Sequence, residues 1–264
     1  MPRNRPLIAL VVVIFLVILA GAAIYVILNL NGNIPSIKTL PIPVVSVAAN
    51  WAGYVVANDL LNPTSAVSSV SGSWIVPAVK DIGTDAYSSV WIGIGGQFDH
   101  SLIQVGTEQD FTNGSARYYA WYEMLPSYSV PIDSIKISPG DQMHASISLE
   151  ATNSSQWSIS IEDLTNGGKF QSNFTYDSRR LTAEWIVEQP QVNNALTTLA
   201  NFGNVTFTDC NANLSGKSGG ISSFAYNNVQ MQPQIVNNKS VQLVFVSVLK
   251  NGSTQFTVNY IPIL

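Results

Sequence analysis

The stretch "AEWIVE" (Ala183 to Glu188) alternates along a strand. Glu184, Ile186 and Glu188 then share one face, with Trp185 and Val187 on the other. Carboxylates on a half-buried strand are costly unless they bind or react. Three further stretches carry the same two-faced pattern. In "SSVWIGIGG" (Ser88 to Gly96), Val90, Ile92 and Ile94 oppose Trp91, Gly93 and Gly95. In "LIQVGTE", Ile103 and Val105 oppose Leu102, Gln104, Gly106 and Glu108. In "YYAWYEM", Tyr118, Ala120, Tyr122 and Met124 oppose Tyr119, Trp121 and Glu123. Each strand has one face fit for a core and another mixing acids, an amide, glycines and large aromatics. If the four strands are neighbours, the second faces join into an aromatic-walled groove with carboxylates in its floor. Such a groove suits two chemistries. It could bind or cleave a sugar, with rings stacking on the aromatics and two carboxylates acting on the glycosidic bond. It could equally cleave a peptide in acid, where a carboxyl group serves as acid or base. The pattern alone leaves both open.

Other signals carry no chemistry. "GKSGG" (Gly216 to Gly220) has serine-hydrolase spacing but lies in a Gly/Ser loop, without the strand, turn and helix that motif needs. It also lacks the upstream glycine of a phosphate loop. "WIGIGG" lacks the last glycine of a dinucleotide fingerprint. The single cysteine, Cys210, reads as a buried structural thiol and allows no internal disulfide. With His100 and His144 it does not compose a zinc site, so no metal or cofactor is expected.

The elements that must position these residues are strands. "MHASISLE" and "WSISIE" alternate cleanly, and turn signals lie at Pro139-Gly140, Asn166-Gly167-Gly168 and Asn251-Gly252. The last of these predicts a hairpin between "VQLVFVSVL" and "TQFTVNYI". No amphipathic helix is evident from Asn50 onward. Short, evenly spaced strands predict an all-β antiparallel sandwich or barrel over residues 49–264.

Upstream, Leu7 to Leu28 is an uncharged apolar run of 22 residues, long enough to span a bilayer as a helix. Arg3 and Arg5 precede it, which places residues 1–6 in the cytoplasm and the rest outside. A cleaved signal peptide is the rival reading, in which case the protein is secreted. An uncleaved signal anchor is preferred, because the run continues past the small residues of "AGAA". Residues 29–48, with Gly32, Pro35, Pro41 and Pro43, read as a tether. Seven Asn-x-Ser/Thr sequons, at Asn113, Asn153, Asn173, Asn204, Asn213, Asn238 and Asn251, are compatible with a glycosylated exterior. Only 11% of the 264 residues are charged, against about a quarter in ordinary proteins. A surface whose polarity comes from uncharged side chains changes little on protonation, which suits an acidic exterior. The net charge of −4, without a basic stripe, argues against nucleic acid.

In the order of the chain, "NWAGYVV", "VSGSWIVP", "SSVWIGIGG", "LIQVGTEQ", "YYAWYEMLP", "AEWIVE" and "LANFGNVTFTDC" resemble the blocks of the glutamic peptidases, or eqolisins. The resemblance spans about Asn50 to Cys210. It implies a lectin-like (concanavalin A-like) β-sandwich of two large curved antiparallel sheets, with the site on a concave face. It also implies an acid-active endopeptidase without metal or cofactor, acting on protein or peptide substrates as a monomer. The family's catalytic glutamine matches Gln104 and its glutamate matches Glu188. Trp91 and Glu123 match positions that line the site and support this dyad, and Glu108 stands where the family often has Asp. Trp121 and Tyr119 are added from the aromatic face. The implied mechanism has Glu188 activating a water as general base, with Gln104 steadying the tetrahedral intermediate. Gly95 and Gly96 replace an acid found in fungal members, and the tether is short for a propeptide. Glu184 and Glu188 are about 13 Å apart by strand rise, too far to act as a close pair. Glu184 is therefore expected to be a groove or rim residue. The competing readings are a lectin-like or glycan-cleaving sandwich and an inactive peptidase scaffold.

Overall fold

The computed structural model describes residues 44–151, 154–193, 195–236 and 238–262. The apolar run Leu7–Leu28 and most of the expected tether lie outside the described residues. Among the described residues no helix is long and apolar enough to cross a membrane.

The described chain is almost entirely β. Its strands are β1 (Val44–Ala48), β2 (Trp51–Ala57), β3 (Val67–Ile75), β4 (Ser89–Gly95), β5 (Leu102–Thr112), β6 (Ser115–Met124) and β7 (Val130–Pro131). Then follow β8 (Gln142–Leu149), β9 (Gln156–Asp163), β10 (Lys169–Thr175), β11 (Ala183–Glu188), β12 (Gln191–Val192), β13 (Ala195–Leu196) and β14 (Asn204–Leu214). The last are β15 (Lys217–Gly220), β16 (Ala225–Met231), β17 (Gln234–Val236), β18 (Lys239–Val241), β19 (Val244–Val246) and β20 (Phe256–Tyr260). One eight-stranded sheet has the order β1-β16-β2-β11-β4-β5-β6-β7. The second has the order β10-β9-β8-β3-β14-β20-β19, with β15 paired to β14. Two small hairpins, β12-β13 and β17-β18, stand apart. The predicted hairpin across Asn251-Gly252 is present as the antiparallel pair β19-β20.

Alternation accounts for the two layers. Val90, Ile92, Ile94, Ile103, Val105, Ala120, Trp185 and Val187 of the first sheet join Trp74, Met143, Ile147 and Phe207 of the second in one buried core. Trp91, Leu102, Trp121 and Ile186 sit on the opposite face in a separate cluster with Val55 and Val229. The face assignments read from the four stretches therefore hold. Cys210 is buried and free.

The sheet pairing is anchored by a two-residue turn. Asn113 and Gly114, between β5 and β6, have φ of 52° and 73°, the positive pair of a tight hairpin. This turn fixes the β5-β6 register and so sets Gln104 opposite Glu123. One boundary differs from expectation. Val44–Ala48, expected within the tether, forms β1, paired in parallel with β16 at the sheet edge. Two prolines in "PIPVVSVA" concealed a five-residue strand that presents no alternation longer than itself.

Candidate active site

Strands β11, β4, β5 and β6 are consecutive neighbours, so their outward faces form a grid. One row runs Glu184, Gly93, Gln104, Glu123. The next runs Ile186, Trp91, Gly106, Trp121. The third runs Glu188, Ser89, Glu108, Tyr119. Gly106, near the middle of the grid, has no side chain, and a Cβ there would lie 2.5 Å from Cβ of Trp91 and 2.3 Å from the Val90 carbonyl. The glycine therefore allows the two strands to approach closely and Trp91 to pack between them.

A cavity of about 360 Å³ opens on this face. Its polar floor is Gln104, Glu108, Glu123, Glu188 and Ser89, and its apolar wall is Trp51, Leu102, Trp121 and Leu125. Ser129 lines one side, and Pro190 with Gln191, which opens the β12-β13 hairpin, lines another. Gln104 and Glu188 thus meet at one cavity although one strand, β4, and one row of the grid lie between their backbones.

Glu188 is held on both oxygens. Asn50 Nδ2 donates to Oε1 at 2.7 Å, and Trp91 Nε1 donates to Oε2 at 2.8 Å. Trp91 itself is wholly buried and packs edge-on against Trp51, with centroids 4.9 Å apart. Burial nevertheless pushes the Glu188 carboxyl up to about 7. The indoles of Trp91 and Trp51 and the Asn50 amide oppose that rise, and the charge of Glu123 adds to it. Gln104 Nε2 donates to Glu123 Oε2 at 2.5 Å, while Gln104 Oε1 is buried without a partner. The Glu123 carboxyl is raised by burial, against hydrogen bonds from Gln104 and the Ser129 backbone.

Beside Glu188, the Glu108 carboxyl is raised well above the usual range, first by burial and then by Asp110. Asp110 is pushed up to about 6 by burial, against a hydrogen bond from Glu108 and the charge of Arg117. The two carboxyls titrate as a pair, and both are raised first by burial. Tyr119 does not line the cavity. It packs partly buried on the same face, opposite Glu108, and burial raises its hydroxyl.

Glu184 corrects the expectation of a groove or rim residue: it is completely buried. Its neighbour Gly93 is roofed by the Trp91 ring and Leu102, which would lie 2.9 and 3.0 Å from a Cβ added there. Large aromatic and aliphatic side chains thus cover this end of the face, and periodicity alone does not reveal a roof. Neither Glu184 oxygen makes a hydrogen bond of good geometry, although the Thr182 hydroxyl and the Gly95 N–H are close enough to oppose the effect of burial. Its carboxyl is raised well above the usual range, so it is neutral in acid. Gly95 has φ of +97° and a Cβ there would meet the Ser101 carbonyl at 2.0 Å, so the backbone of this chain requires a glycine at that position.

Two site residues, Asn50 and Trp51, are not marked by the sequence pattern. The available signal was β2, whose Trp51, Gly53 and Val55 continue the outward face beside β11. Asn50 lies before the strand and has no periodicity to mark it. Among the described residues no cluster of three or more His, Cys, Asp or Glu is arranged to hold a metal ion.

The model of the Peptidase A4 family matches residues 49–260. Aspergillopepsin-2 of Aspergillus niger is 30% identical over 218 residues, 74% of this chain and 74% of its own. Scytalidopepsin B of Scytalidium lignicola is 29% identical over 211 residues, again 74% of each chain. The crystal structure of scytalido-glutamic peptidase with a transition state analog inhibitor has a TM-score of 0.65 at 28% identity, covering 81% of this chain and 98% of that one.

Proposed function

The chain belongs to the Peptidase A4 family, the glutamic peptidases, and we propose that it hydrolyses internal peptide bonds in acid with Glu188 and Gln104 as its working pair. The observation that carries this reading is one cavity lined by both Glu188, held on its two oxygens by Asn50 and Trp91, and Gln104, whose side-chain oxygen has no partner. The peptide based transition state analog in another structure of scytalido-glutamic peptidase supports a peptide as the ligand class. Nothing favours the glycan-directed alternative.

The raised Glu188 changes the starting state expected from the sequence. A carboxyl at about 7 carries its proton throughout the acidic range, so it enters the reaction as an acid. Glu188 gives this proton to the scissile carbonyl oxygen as water adds to the carbon. It then takes a proton from the added water, which is its general-base step. It passes that proton to the leaving nitrogen as the C–N bond breaks, and recovers one from the collapsing diol. Atoms and charges balance, and Glu188 ends as it began. Gln104 Oε1 accepts a hydrogen bond from the incoming water, and the Gln104 amide N–H not engaged by Glu123 is available to the carbonyl oxygen as it is polarised and takes the proton. Glu123 holds the amide in that orientation. Trp91 and Asn50 hold Glu188.

Protein digestion by the full chain across pH tests this. Glu188→Gln and Gln104→Ala should each lower kcat by about 10² to 10⁴; full activity in either purified variant overturns the assignment. Activity should persist in acid and fall as pH rises through about 7. A profile that instead climbs through that pH would return Glu188 to the role of a base from the outset. The apolar run Leu7–Leu28 supports an anchor that tethers the domain outside the cell, which protease protection of the full chain in sealed vesicles would test.

A further inference from the structure

The buried indoles of this fold are almost all bonded. Trp74 Nε1 donates to Thr107 Oγ1 at 3.0 Å, and Trp91 to Glu188 at 2.8 Å. Trp157 donates to the Tyr176 carbonyl at 3.0 Å, and Trp185 to the Ser71 carbonyl at 2.8 Å. Trp121 differs. It is only 5% exposed, yet its Nε1 has no partner. Its neighbour in register on β5 is Gly106, which has no side chain to accept the bond. A buried N–H without an acceptor costs about 1–3 kcal/mol, and this one belongs to a residue that lines the cavity beside Gln104 and Glu188.

We propose that the Trp121 N–H is a substrate-docking donor, whose acceptor is a main-chain carbonyl oxygen of the bound peptide next to the scissile bond. This rests on the peptidase reading and adds a binding residue to it. An uncharged indole N–H keeps the same strength at any acidic pH, unlike the carboxyls around it. A main-chain carbonyl is offered by every residue of an extended peptide, so the contact holds substrate without selecting its side chains. Leu125 and Leu102 line the same cavity as Trp121 and add apolar surface beside the donor.

Trp121→Phe in the full chain keeps most of the aromatic wall and deletes the N–H. The expected result is a rise in KM of about five- to ten-fold, with kcat changed less than two-fold, on each of several peptides that differ in side chains around the cleaved bond. The melting temperature should fall less than in Trp91→Phe, because Trp121 has no bond to lose within the free protein whereas Trp91 donates to Glu188. An unchanged KM overturns the proposal, as does an effect confined to peptides with one particular side chain, or one that falls on kcat alone. Failure of the unsubstituted chain to cleave peptides would sink the peptidase reading instead. The two failures are distinguishable, because the first requires a wild-type protein that cleaves.

Discussion

Asn50 shows how a residue outside any periodic pattern can govern the reacting group. Its amide is the 2.7 Å donor to Glu188 Oε1 and also reaches the Gln189 carbonyl at 3.2 Å, tying the catalyst to the start of β2. A donor to the ionised carboxylate lowers the pKa. Asn50→Ala should therefore move the upper limb of the kcat profile to higher pH and lower kcat about ten-fold through lost orientation of the carboxyl. A limb that stays in place would show that Asn50 only packs. At this scale the sequence revealed Gln104, Glu108, Glu123 and Glu188, because each stands in an alternating strand beside aromatics. It did not reveal Asn50, which precedes its strand, or the burial of Glu184, beside which Leu102 of β5 and Trp91 of β4 itself fold over Gly93.

The site is a product of register among four strands, and glycines decide how closely those strands approach. Gly106→Ala would place a Cβ 2.3 Å from the Val90 carbonyl and 2.5 Å from Trp91 Cβ, in the interior of the sheet. Because both obstacles are backbone or near-backbone atoms, they cannot swing away, and a loss of roughly 3 kcal/mol or more is expected, with much of the activity. Gly114→Ala is the control. Nothing lies within 4 Å of its Cβ, and only its φ of +73° opposes a side chain, which costs about 1–2 kcal/mol. Urea unfolding of the two variants should rank them in that order; equal midpoints would mean that β4 and β5 can separate freely. Long strands with clean alternation, such as β8 and β9, could be read directly from the chain. The short strands β1, β12, β13, β17 and β18 could not, since two to five residues contain too little period to detect and their pairing is decided by distant partners.

Five carboxyl groups of the site-bearing sheet shift in one direction on folding. Glu108, Asp110, Glu123, Glu184 and Glu188 are all raised, with burial the largest cause in each. The ion pairs Lys169–Glu162 and Arg179–Asp99, at 3.4 and 3.6 Å, involve well-exposed cations and add little for acid to remove. A carboxyl raised on folding binds its proton more tightly in the native state than in the unfolded chain. Its contribution is full below the unfolded pKa of about 4.5 and is lost as pH rises toward the folded value. For Glu188, raised from 4.5 to about 7, that loss is on the order of 3 kcal/mol at neutral pH. The low charge content of the sequence suggested only tolerance of acid; the buried carboxyls require something stronger, namely that the folded domain is more stable in acid than at neutrality. Thermal unfolding should give a melting temperature at pH 4 at least several degrees above that at pH 7.5. Glu184→Gln, which mimics the protonated acid permanently, should flatten this dependence without touching the cavity. A melting temperature that rises from pH 4 to pH 7.5 would mean that these carboxyls ionise in place at no cost, against the burial that surrounds them.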